Sequence, residues 1–360
     1  AGSIDHFEVS NISGDQTAGV PFSITITAKD ANNETVTGYT GTANLQDLTG
    51  TLSPNVTGNF SNGVWSGNLT ITKSFANNKI TVAGAGKSGE SITFNVLAGD
   101  AHHFTIESIS SPQTAGSAFS ITIKARDLYD NIATSFTDKV SLSDGTGTLT
   151  PVLTGNFIDG QWTGNITITK AQNDVWITAT QGSITGSSNK FNVLSASLDH
   201  FEISSISTQI ANEPFSISVV ARDQYNNKVS QFTDKVNISD ETGTLTPTFS
   251  ENFTSGQWTG SVLITNTYTN NRIQVIRQGG SEQGTSNLFD VITVTIDHFT
   301  ISTIPNQTAG VQFQITIRAE DEANNLVTNF SGVVSLSDLT GTISPVTSGN
   351  FSNGRWTGNI

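Results

Sequence analysis

Apolar and polar residues alternate along much of this chain. Phe22, Ile24, Ile26 and Ala28 are separated by Ser23, Thr25 and Thr27, and the order returns as Phe119, Ile121, Ile123 and Ala125. A period of two buries one face of a β-strand and cannot form the stripe of a helix. Further strands are predicted around Phe104 and Ile106, Val140 and Leu142, Trp162 to Ile168, Val175 to Ala179, and Phe191 and Val193. Asn62-Gly63 and Asp159-Gly160, each between a Phe and a Trp, mark tight hairpins, because both dipeptides accept the positive φ that such turns demand.

The pattern is written more than once. His-Phe recurs at His6, His103, His200 and His298, and Trp65, Trp162, Trp258 and Trp356 keep the same interval of about 97 residues. The expected domains are 1–98, 99–195, 196–293 and an incomplete fourth, 294–360. About seven short strands per unit predict an all-β fold of tandem immunoglobulin-like β-sandwiches in a linear array, with the Trp as the largest core residue.

The residues carry a resemblance. Asp-His-Phe-x-Ile-Ser, Thr-Ala-Gly with Phe-x-Ile-Thr-Ile, Ala-x-Asp with a downstream Asn, Thr-Gly-Thr-Leu-x-Pro and Gly-x-Trp-x-Gly together resemble the tandem bacterial immunoglobulin-like (Big-type) repeats of large cell-surface proteins. The third unit departs at Gln209-Ile210-Ala211-Asn212, where a Gly is lost, and the second at His102, where an Asp is replaced. The resemblance spans the whole chain and implies an extracellular, structural or adhesive role; it identifies an architecture rather than a chemistry.

Composition narrows the partners. With 16 Lys and Arg against 30 Asp and Glu, the net charge of −14 is spread without blocks, which disfavours a nucleic-acid backbone. Without Cys, each core relies on packing alone. No stretch nears 18 consecutive apolar residues, so no membrane span is expected in this segment. The lack of Met fits a processed chain or an excerpt of a longer one.

Candidate chemistry is sparse. Asp30, Asp127, Asp223 and Asp321 each precede an Asn-rich turn whose oxygens are the candidates for calcium. The same residues make a plain strand-end turn, since Asp and Asn bond their own backbone. An interdomain variant pools Asp199 or Asp297 with Asp240 or Asp338. The repeated His residues read as four identical packing positions, and no nucleophile elbow, phosphate loop or metalloprotease motif occurs, so no enzyme is expected. Residues that the repeats do not share are the partner-binding candidates: Trp176, turned outward between Val175 and Ile177, and Tyr268 with Arg272 and Arg277. Asn-x-Ser/Thr triplets, including Asn11, Asn68, Asn165, Asn237 and Asn306, permit N-glycosylation at a frequency close to chance.

The reading is a rod-like stalk or fibre segment of a surface protein. Seven residues link Val96 to Phe104, leaving little slack, and Gly99 predicts that the first junction bends more readily than the β-branched third. Two alternatives stand beside the stalk. One is a carbohydrate- or receptor-binding adhesin module. The other is a filament subunit whose incomplete fourth unit, ending at Ile360, is completed by strands of a neighbouring chain; the partners expected are neighbouring copies of itself or other surface proteins.

Overall fold

The computed structural model describes residues 2–360, and among them every regular element is a strand. The alternating run becomes β3 (Phe22–Lys29), with Ile24, Ile26 and Ala28 buried. It lies between β1 (His6–Val9) and β5 (Val64–Leu69), antiparallel to both. The facing sheet is built from β2 (Gln16–Thr17), β4 (Asn44–Asp47), β6 (Phe75–Asn78), β7 (Ile80–Gly84), β8 (Lys87–Glu90) and β9 (Phe94–Leu97). Strands β6 and β7 are one strand interrupted at Lys79, and they form a hairpin with β8 and β9. The remaining members β4 and β2 lie on β7 and β9 respectively, the latter parallel. Two sheets of antiparallel pairs closed by one short parallel strand make an immunoglobulin-like sandwich.

The same strand order recurs over His103–Leu194 and His200–Ile292. The fourth copy shows one sheet, formed by His298–Ile301, Gln314–Glu320 and Arg355–Asn359. Backbone proximity divides the chain into two compact units, Ala1–Leu194 and Ser195–Ile360. The hairpins fall where expected: Asn62 has φ 49° and Gly63 φ 76°, the paired positive values of a type I′ turn.

The largest fully buried side chains are phenylalanines rather than the repeated Trp. In the second repeat Phe104, Phe136 and Phe157 pack with ring centroids 5.1 to 6.0 Å apart, and Phe136 meets Phe157 at 89°. This edge-to-face arrangement suits aromatic quadrupoles. Phe201, Phe232 and Phe253 repeat it, and in the first repeat Tyr39 joins Phe7 and Phe60 while its hydroxyl donates to Thr42 O at 2.8 Å. Trp162 faces the same side as its cross-strand partner Ile123 but sits on an edge strand and is only half-buried. Its six-membered ring lies over Gly164, where any Cβ would collide with Cζ2. The expectation of a central Trp is therefore corrected for repeat two, where Trp162 lies at the rim of the core, whereas in repeat three the equivalent Trp258 is buried within the core.

Truncation should separate the two roles. Phe157→Ala should cost about 3–5 kcal/mol, as for a large buried aromatic, and Trp162→Ala less. Chemical unfolding of the full chain, followed by hydrogen exchange in repeat two, measures both. A Trp162 loss equal to or above that of Phe157 contradicts the assignment.

Candidate functional site at the repeat junctions

The second repeat meets the first through a short loop after the strand Phe119–Arg126. Asp127, at its start, is 1% exposed, and a buried carboxylate must fill its acceptor sites. Oδ1 accepts the backbone N–H of Tyr129 at 2.8 Å and of Asn131 at 2.9 Å. Oδ2 accepts Asn131 Nδ2 and the linker N–H of Gly99, both at 2.9 Å. Burial pushes the Asp127 carboxyl up, but the hydrogen bonds from Asn131, Gly99 and Tyr129 outweigh it and hold the group below the ordinary carboxylate range.

Asn131 carries the contact onward to the first repeat. Its Nδ2 also donates to Thr72 O at 2.7 Å, and its Oδ1 accepts Ser74 N at 2.9 Å. One buried amide thus satisfies a donor and an acceptor of the neighbouring repeat. Tyr129 completes the junction by laying its ring on Gly19, where an added Cβ would collide with Cε2 and where φ is +79°. Gly19 is held there by its own N–H to Ile71 O at 2.9 Å. Gly99 is pinned by its hydrogen bond and has no left-handed φ, so the ground for a loose first junction is removed.

The other candidate aspartates occupy the same turn. Asp30 Oδ1 accepts Asn32 N at 3.0 Å and Glu34 N at 2.9 Å, and the backbone bond from Glu34 leads in holding its carboxyl below the usual range. Asp223 accepts Tyr225 N, Asn227 N, Asn227 Nδ2 and the linker Ala196 N at 2.8 to 2.9 Å. Asp321 accepts Ala323 N and Asn325 N, and Asn325 Nδ2 at 3.2 Å. Linker and loop carboxylates are not pooled. Asp199 and Asp297 pair with His200 and His298, whereas Asp240 bonds Thr242 and Asn271 and Asp338 bonds Thr340. Among the described residues no group of three or more His, Asp or Glu side chains is arranged to hold a metal ion.

Trp176 is 42% exposed at the interruption between two strands, with Lys190 Nζ 5.9 Å from its ring centroid. Tyr268 is 43% exposed; Arg272 turns to Glu241 at 3.5 Å, and Arg277 pairs with Asp234 and Glu282. Arg272 and Arg277 enter separate ion pairs rather than one cluster. The sequence reading missed the chain of hydroxyls beneath Thr-Gly-Thr: Asp47 Oδ2 accepts Thr49 Oγ1 at 2.6 Å, Thr49 meets Thr51 at 2.8 Å, and Thr51 Oγ1 accepts the N–H groups of Thr72 and Lys73. The exact recurrence of that tripeptide was the available signal.

No protein-family model matches the chain, and no curated protein matches it by sequence. Among solved structures it is similar to FdeC, an Escherichia coli adhesin, with 15% identity, a TM-score of 0.40, and coverage of 81% of this chain and 98% of that one. It is similar to invasin, a bacterial integrin-binding protein, with 13% identity, a TM-score of 0.35, and coverage of 88% and 76%. The S-layer protein SbsC gives 13% identity, a TM-score of 0.26, and coverage of 99% and 49%.

The depressed Asp127 carboxyl fixes a sign. A group whose folded pKa is lowered stabilises the fold above its unfolded value and loses that contribution as pH falls through the folded one. The amide resonances of Gly99 and Asn131 should hold their positions down to about pH 4 and shift only below it. Shifts complete above about pH 5, read in a titration of the full chain, contradict the assignment.

Proposed function

We propose that the chain is a structural spacer in an extracellular, cell-surface protein, whose immunoglobulin-like repeats hold a distance, with the first junction docked. The observation that carries this reading is Asn131, 2% exposed, which bonds Asp127 in its own repeat and Thr72 and Ser74 in the preceding one. A flexible tether would leave such an amide in water. The net charge of −14 keeps a spacer soluble and discourages sticking to anionic polymers.

A second reading, recognition of a glycan or receptor, rests on Trp176, a half-exposed ring of the kind that stacks on sugars. Binding on a glycan array that disappears in Trp176→Ala establishes it, and a blank array with folded protein removes it.

Small-angle scattering of the full chain tests the spacer. The wild type should give an elongated particle, and Asn131→Ala with Tyr129→Ala should lower its radius of gyration while circular dichroism stays unchanged. A wild-type particle as compact as a single globule of the same mass contradicts the proposal.

A further inference from the structure

The docking found between repeats one and two depends on matched residues, and the junction between repeats three and four has lost both halves of the match. Gly19 is the receiving residue and Tyr129 the inserted one. The sequence keeps the two types together at Gly116 and Tyr225. In the next pair of positions both change: Asn212 stands where Gly19 does, and Ala323 where Tyr129 does. Asn212 takes up the same backbone role, with φ 67° and its N–H bonded to Ile264 O at 2.9 Å, as Gly19 bonds Ile71 O. It therefore carries a Cβ at the point where a Tyr ring would have to lie. A Tyr at 323 and a side chain at 212 exclude each other, so the two changes are one event in physical terms.

The hydrogen bonds follow the same division. Gly99 and Ala196 donate their linker N–H groups to Asp127 and Asp223. Among the described residues the corresponding Val294 makes no such bond, and Asp321 receives donors from its own loop alone. The side-chain amide of Asn325 reaches Asp321 and, among the described residues, no atom of 265–267, the counterpart of Thr72 to Ser74. A cleft of about 310 Å³ lies between linker residues Thr293, Thr295 and Asp297 and loop residues Asp321 and Ala323. Among the described residues the hydrogen bond that crosses instead is exposed, from Thr328 Oγ1 to Glu213 Oε1 at 2.7 Å. Exposed single hydrogen bonds exchange readily with water and hold little.

We infer that the junction between repeats three and four is a built-in hinge, produced by the paired substitution at positions 212 and 323, in an array whose first junction is locked. The inference rests on the spacer reading, since only a chain that holds distance gains from one defined point of bending. Its residues also define a rule of fit: a repeat with Gly at this base position accepts a neighbour with Tyr in the loop, and a repeat with Asn does not.

The full chain contains no Cys, so introduced pairs can be spin-labelled cleanly. Labels at exposed, equivalent positions, Asn68 with Asn165 and Ser261 with Asn359, report the two junctions by pulsed dipolar spectroscopy. The first pair should give a narrow distance distribution and the second one at least twice as broad. Asn212→Gly combined with Ala323→Tyr should narrow the second, and Tyr129→Ala should broaden the first. Equal widths at the two junctions overturn the hinge. If both are narrow, the spacer reading stands without it; if both are broad, the spacer reading falls as well. Failure of the double variant to narrow the second distribution, with its circular dichroism unchanged, also overturns the hinge by removing its assigned cause.

Discussion

A buried carboxylate has to be surrounded by donors, and Asp127 meets that demand with groups from two places at once. Tyr129 and Asn131 come from its own loop, and Gly99 from the chain entering the repeat. The shape of the turn and the path of the linker are therefore one interaction, and neither can change without Asp127 losing a donor. With the loop fixed, Asn131 points at Thr72 and Ser74, and Tyr129 comes down on Gly19. Docking of the neighbouring repeat follows from the same carboxylate that closes the turn.

Each repeat is able to present so rigid a loop because its core is stiff without covalent help. The three-ring cluster of Phe104, Phe136 and Phe157 fills the interior near the end of β-strand Phe119–Arg126, where Phe104 pairs with Ala125, and mutually tilted rings of this size leave few alternative packings. The Trp at the rim covers that core from the edge strand, resting on a Gly two residues further along. Core, strand end, loop and junction thus form a continuous path from packing to the contact between repeats.

Much of this was legible in the residues. Alternation around Phe119 to Ala125 and the recurring His-Phe and Trp positions pointed to the strands and the repeated unit, because a strand buried on one face leaves a period-two record. Asp127 was legible as a turn residue. Its linker bond was not, since pattern reading carries no information about which N–H lies across a gap in sequence of 28 residues. For the same reason Gly99 read as slack when it is pinned. Trp162 was misplaced because periodicity gives the facing side of a residue but not its depth, and the equivalent Trp258 is buried where Trp162 is not. The loss of Gly at Asn212 was visible as a departure, and its meaning emerged only when Tyr129 was seen resting on Gly19.

The central claim is that repeats one and two are docked by this set of contacts rather than strung on a short leash. Residual dipolar couplings measured on the full chain test it most directly. The account predicts that couplings from repeats one and two fit a single alignment tensor, and that Asn131→Ala splits them into two. Separate tensors for those repeats in the unaltered chain would contradict it.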